Sequence, residues 1–116
     1  MPNNTLSASV RQAKNSTAII DLRGEINAFG EETLNNAYVE ANQAHPKIIL
    51  LNFSGVDYIN STGIALIVGL LAQARKSGQR LFTTGLSSHY VEIFQITRLS
   101  DFMNIYPDEA SALAAQ

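Results

Sequence analysis

"IILLNFSGVDYINSTGIALIVGLLAQARKSGQRL", Ile48 to Leu81, holds the reading on which the fold turns. With Lys47 it begins as a near-continuous apolar run, Lys47–Phe53. A run without alternation is the pattern of a central strand buried on both faces. "SGVDYI" then reads as a short connection, and a helix follows from about Thr62 to Ser77. Gly78 ends that helix, with Arg75 and Lys76 in the last turn, where the helix dipole favours cations. "QRLFTTG" (Gln79–Gly85) reads as the next strand. Strand, helix and strand in succession form a crossover, which implies parallel pairing.

Upstream, residues 4–13 alternate, with Leu6, Ala8 and Val10 on one side, the period of a half-buried strand. Lys14–Ser16 is a turn, and Thr17–Ile26 a second strand paired with the first as a hairpin. Gly24 marks either the end of regular pairing or a close backbone approach. In residues 31–44 the period changes. Leu34, Ala37, Tyr38 and Ala41 recur at i, i+3, i+4 and i+7, one face of a helix. Glu31 and Glu32 occupy its first turn, and His45-Pro46 stops it. Downstream, a third helix spans Ser88–Thr97, with Tyr90, Ile93 and Phe94 on one face. Asp101–Tyr106 is a short final strand, and Pro107 fits the first turn of a last helix ahead of Asp108 and Glu109. The order is ββαβαβαβα. It predicts an α/β fold with about four helices on a mixed, mostly parallel sheet, one hairpin strand being antiparallel. No repeat, linker or low-complexity segment interrupts it, so residues 1–116 are read as a single domain.

Composition narrows the function. A chain of 116 residues that is 46% hydrophobic builds one core. Its net charge of −2 argues against a nucleic-acid partner. With no cysteine, disulfides and thiolate metal sites are excluded. The polar N-terminus "MPNNTLSASVRQAK" lacks the apolar region of a signal peptide. The run Gly63–Ala72 is far shorter than the ~20 residues of a spanning helix. The expectation is a cytoplasmic protein with no membrane insertion. The Asn-x-Ser/Thr triplets at Asn3, Asn15, Asn52 and Asn60 then read as chance. His45 and His89 flank helices and read as solvated end residues. No hydrolase elbow, phosphate loop or metal-ligand spacing occurs. The chain is therefore expected to be no enzyme, with no catalytic residue, metal or cofactor.

What remains is the polar trio Asn60-Ser61-Thr62 at the seam between strand and helix. Asn, Ser and Thr are the residues that satisfy the open N–H groups of a helix start, so one reading is a plain cap. A second makes Ser61 a phosphate acceptor. A phosphate there would sit at the positive end of the helix and bring roughly −1.5 to −2 charges. The helix that follows shows Ile64, Ala65, Leu66, Ile67, Val68, Leu70 and Leu71 with no polar face over two turns. Either it is wedged between sheet and helix, or some of these side chains form an exposed patch that marks a protein interface.

The order of elements and four stretches of local sequence resemble the STAS family, the anti-sigma factor antagonists of bacteria. The stretches are "LRGEINAFG" (Leu22–Gly30), Ile48–Leu81, "VEIFQITRLSDFMNIY" (Val91–Tyr106) and "DEASAL" (Asp108–Leu113). In Ile48–Leu81 a buried strand leads to a motif of the Asp-Ser-Ser/Thr-Gly type and a helix. The resemblance implies a reversible switch in transcription regulation. An anti-sigma factor serine kinase phosphorylates the first hydroxyl of the motif, here Ser61, with Thr62 as the rival acceptor. The unphosphorylated antagonist binds the kinase and frees the sigma factor. Phosphorylation releases it, and a PP2C-type phosphatase restores it. The implied partner-binding residues are Asn27, Asn60, Ser61, Thr62, Gly63 and Ile64, on a protein that is a monomer when free. Asn60 stands where well-known members carry Asp, and Asn27 replaces an acid often found after the Gly24-Glu25 pair, so the site is less acidic. Arg98 falls where relatives often have a glycine.

Two other readings stand beside this one. Some STAS domains dock on transporters, including lipid-transport ATPases, as accessory subunits that never switch. A third reading has the helix N-terminus holding the phosphate of a nucleotide.

Overall fold

The computed structural model describes residues 5–115. Asn4, the first residue of the expected opening strand, and the upstream N-terminus lie outside them. Five strands form one sheet: β1 (Ser7–Ala13), β2 (Thr17–Ile26), β3 (Ile48–Ile59), β4 (Arg80–Thr84) and β5 (Asn104–Tyr106). The helices are α1 (Glu31–Asn42), α2 (Ser61–Lys76), α3 (Ser88–Ile96) and α4 (Glu109–Ala114). Two 3-10 turns, Ala28–Gly30 and Leu99–Asp101, precede α1 and β5. The strands lie in the sheet in chain order. β1 and β2 pair antiparallel, and every later pair is parallel, as the pattern predicted. Among the described residues no helix is long and apolar enough to cross a membrane.

β3 explains the layering. Ile49, Leu51 and Phe53 enter a large core with Leu34 and Tyr38 of α1, Ile67 and Leu70 of α2, and Tyr90 and Phe94 of α3. Ile48 and Leu50 point the other way, onto Ile19, Phe82 and Ala112 of α4. Successive side chains of a strand leave on opposite faces, so an unbroken apolar run needs cover on both. Each such residue, fully buried, contributes about 1.5–3 kcal/mol. The Lys14–Ser16 turn is stapled to this strand, because the Ser16 carbonyl accepts from the N–H groups of Lys47 and Ile48 at 2.8 and 3.2 Å.

Several ends shift by one to three residues from the sequence reading, β1 beginning at Ser7 and α1 ending at Asn42, and three boundaries differ with structural consequence. Residues 54–59 are strand rather than connection, because β2 runs on beside them and pairs Gly24 with Val56, Glu25 with Tyr58 and Ile26 with Ile59. Two register shifts absorb the irregular stretch. Gly24 lies there at φ 100°, so it marks a distortion within the pairing and not its end. The last strand is only Asn104–Tyr106, since Leu99–Asp101 closes as a 3-10 turn behind Arg98. Arg98 has φ 68°, the left-handed conformation in which glycine is favoured. Pro107 lies just outside α4, whose N-cap is Asp108: its carboxylate accepts from the Ser111 N–H at 2.8 Å.

One ion network binds α4 to the hairpin. Asp21 accepts from Arg11 at 2.6 and 2.9 Å and from the Asn52 amide at 2.8 Å, and Arg11 reaches Glu109 at 2.7 Å. The Arg11 guanidinium, and then the Asn52 amide, hold the Asp21 carboxyl below the usual carboxylate range against the opposing effect of burial. A carboxyl depressed in the native state stabilises the fold above its unfolded-state value of about 3.9, and the gain fades as the pH falls through the native value. The pair is partly exposed, so solvent screening keeps the gain small. Asp21→Asn is expected to cost about 0.5–1 kcal/mol at pH 7. Urea melts at falling pH should show the gap between variant and wild type closing below about pH 4.

Candidate functional site

β3 ends at Ile59, and the chain turns into α2 over a single residue, Asn60. Asn60 is extended (φ −88°, ψ −178°), and its side-chain oxygen accepts from the Gly63 N–H at 2.8 Å. That is the geometry of an N-cap. The trio is thereby divided. Asn60 serves the helix, while Ser61 and Thr62 form the exposed first turn of α2. Neither hydroxyl has a hydrogen-bonding partner among the described residues. Helix formation needs neither of them, which leaves both open to chemistry at the positive end of the helix.

Gly63 decides what surrounds them. A β-carbon at this position would overlap the Ile26 carbonyl oxygen, lying 2.8 Å from the Ile26 carbonyl carbon and 3.0 Å from a methyl of Ile59. The Asn60 N–H donates to the same Ile26 carbonyl at 3.2 Å. The first turn of α2 is therefore seated on the end of β2, and the loop after β2 lies against it. In that loop the Asn27 side chain accepts from the Phe29 N–H at 3.0 Å, and the Gly30 N–H donates to the Asn27 carbonyl at 2.9 Å. Tyr90 of α3 clamps the end of β3. Its hydroxyl accepts from the Ile59 N–H at 2.8 Å and donates to the Ile59 carbonyl at 3.3 Å.

The expected site residues fall into three groups. Ser61 and Thr62 are exposed. Asn27, Asn60 and Ile64 are half-buried around them. Gly63, expected among the partner-binding residues, is buried, and it permits the close approach of helix to strand. The apolar run of α2 is divided too. Ile67, Leu70, Leu71 and Ala74 are buried, while Ala65, Val68 and Ala72 are exposed. Those three continue from Ser61 at i+4, i+7 and i+11, one stripe along the helix. The run is thus buried along one side of the helix and exposed along the other; an interface on the exposed side belongs to the function proposed below.

Phe29 and Tyr90 were not singled out from the sequence for this site. Phe29 is 90% exposed. Its signal was an aromatic residue in a loop outside any periodic pattern. Tyr90 reads as one more apolar face residue, because its hydroxyl meets the backbone of a distant strand. A surface depression lined by Ser7, Ser9, Asp21, Arg23, Asn52 and Ser54 includes none of the expected residues. Among the described residues no group of three metal ligands assembles.

The two glycines of α2 make opposite predictions. Gly63→Ala meets backbone that cannot move aside, and overpacking of this kind costs about 1–3 kcal/mol or more. At Gly69 an added β-carbon meets nothing within 4 Å. Gly69→Ala should therefore stabilise by up to about 1 kcal/mol through helix propensity. Thermal melts of the two variants test the contrast.

Comparison with known proteins agrees with this geometry. The model of the STAS domain family matches residues 8–112. The anti-sigma-B factor antagonist of Staphylococcus aureus is 28% identical over 86 residues, 74% of this chain and 80% of that protein. Among solved structures, an anti-sigma factor antagonist from Mycobacterium paratuberculosis superposes with a TM-score of 0.82 at 17% identity, covering 98% of this chain and 96% of the other. The Bacillus cell fate determinant SpoIIAA in its phosphorylated form superposes with a TM-score of 0.71 at 20% identity, covering 95% of this chain and 100% of the other. At such identities the superpositions speak for the fold alone. With the family match spanning nearly all of the sheet and the helices packed on it, the chain belongs to the STAS domain family.

Proposed function

We propose that this protein is a cytoplasmic anti-sigma factor antagonist controlled by phosphorylation of Ser61. The observation that carries the reading is the division of labour at the start of α2: Asn60 caps the helix, and the Ser61 hydroxyl stands exposed beside it with no partner among the described residues. The name of the staphylococcal relative, an anti-sigma-B factor antagonist, points the same way.

In this reading the unphosphorylated surface binds an anti-sigma factor serine kinase. Ser61, Thr62 and the stripe Ala65, Val68 and Ala72 form the contact, flanked by Asn27, Asn60 and Ile64. Ser61 must enter the kinase site close to the γ-phosphate of ATP. The Ser61 oxygen attacks that phosphorus, the bond to the β-phosphate oxygen breaks, ADP leaves, and the hydroxyl proton passes to a base of the kinase. The product carries roughly −1.5 to −2 charges on Ser61, facing the phosphates of ADP. Like charges at that distance repel, and a dianion against an apolar stripe is costly to desolvate. Both effects drive release. Hydrolysis by a PP2C-type phosphatase returns the hydroxyl. The antagonist itself catalyses nothing. Asn60 fits the scheme because its amide oxygen caps the helix without adding a charge next to the acceptor.

The test is an intact mass and a peptide map after incubation with ATP and each anti-sigma factor serine kinase of the host. One phosphate on Ser61, removed by a PP2C-type phosphatase, is expected. Ser61→Ala should take up none and remain bound, and Ser61→Asp should bind at least tenfold more weakly. Phosphate on Thr62 would move the acceptor by one residue. No phosphate with any kinase would overturn the switch and favour the non-switching accessory subunit of a transporter ATPase.

A further inference from the structure

Phe29 is the most exposed large apolar side chain among the described residues, at 90%. A floppy loop would make that unremarkable, but this loop is pinned. The Asn27 cap holds the Phe29 N–H, and the Gly30 N–H closes the 3-10 turn. Gly30 itself is buried so tightly that an added β-carbon would lie 2.8 Å from Leu6. The neighbouring Ile26 carbonyl is fixed beneath Gly63. The aromatic ring is therefore held out to solvent by a backbone anchored on both sides, next to the first turn of α2. A rigid aromatic projecting from a surface loses little freedom on binding, which is what makes such residues interface anchors.

The charge around it is one-sided. All eight Lys and Arg residues lie outside the segments 24–46 and 48–74. Those segments build the loop, α1, the end of β3 and nearly all of α2, and they carry Glu25, Glu31, Glu32, Glu40 and Asp57. Glu31 and Glu32 are exposed and follow Phe29 directly in the first turn of α1. An apolar knob beside carboxylates that have no ion-pair partner among the described residues calls for a socket of matching chemistry.

We infer that Phe29 is the anchor by which this protein docks, inserting into an apolar pocket of the anti-sigma kinase rimmed by Lys and Arg that face Glu31 and Glu32. This rests on the partner-switching reading and adds the chemistry of the partner surface. Phe29 supplies the hold, the carboxylates speed the encounter, and Ser61 delivers the release. The basic rim faces the start of α1, apart from the nucleotide phosphates that meet Ser61.

The experiment measures binding of each purified host anti-sigma factor serine kinase to wild type, Phe29→Ala, Phe29→Leu, the double variant Glu31→Lys/Glu32→Lys, and Ser61→Asp. Phe29→Ala should bind about 10- to 100-fold more weakly, mainly through faster dissociation, with Phe29→Leu partly restored. Its melting temperature should match wild type, since the ring packs on little. Its phosphorylation should show a raised KM at unchanged kcat. The double variant should associate severalfold more slowly at low salt, with the difference vanishing at high salt. Wild-type affinity of Phe29→Ala, with Ser61→Asp weakened, would overturn the anchor and leave the switch standing. Weakening of Phe29→Ala with Ser61→Asp unaffected would keep the anchor and overturn the switch. Unchanged association of the double variant would remove the basic rim. No binding of wild type to any kinase would overturn both proposals.

Discussion

The carbonyl oxygen of Ile26 occupies the space a β-carbon of residue 63 would need, and the site depends on that contact. Glycine lets the first turn of α2 sit directly on the end of β2. The same carbonyl accepts from the Asn60 N–H, so strand end and helix cap share one atom. Three otherwise separate features meet there: the cap, the loop carrying Phe29, and the exposed hydroxyls of Ser61 and Thr62. A helix displaced outward by the width of a methyl group would part the loop from the hydroxyls.

Rigidity on either side makes this contact useful. Tyr90 holds the backbone of Ile59 with both a donated and an accepted hydrogen bond, and Phe53 and Phe94 stack edge to face beneath it at 6.3 Å between ring centres. Buried polar groups paired in this way specify one arrangement, because an unpaired alternative leaves them unsatisfied. A surface change at Ser61 then has little means of deforming the interior. Its effect falls on the outer surface formed by α2 and the Phe29 loop. The proposed phosphate on Ser61 would therefore change surface chemistry on a fixed scaffold.

The two faces of the sheet are unequal. Three helices cover one side with a continuous core, whereas the short α4 covers part of the other around Ile19, Ile48, Leu50 and Phe82. Six residues of helix bury little apolar area, and the Arg11–Asp21–Glu109 network adds a polar tether at its first turn. The site thus lies on the well-packed side, away from the thinner cover.

The order of elements, the doubly buried β3, the hairpin and the helical faces of α1 and α3 were all determined by the sequence itself. Each rests on a period or a punctuating residue within about a dozen positions of chain, and local physics is enough to read it. The polar trio was legible as a helix start and Ser61 as a candidate within it. Tertiary structure alone decided that β3 runs on to Ile59, because its second half is strand only beside β2. It decided that Asn60, rather than Ser61 or Thr62, takes the cap, since the choice follows from where β3 delivers the chain. It divided the apolar run of α2 into Ile67 and Leu70 inside and Ala65 and Val68 outside, a distinction absent from a run with no polar face. It also brought the loop carrying Phe29 against α2 across more than thirty positions of sequence, through a contact between a glycine and a carbonyl that no local pattern encodes.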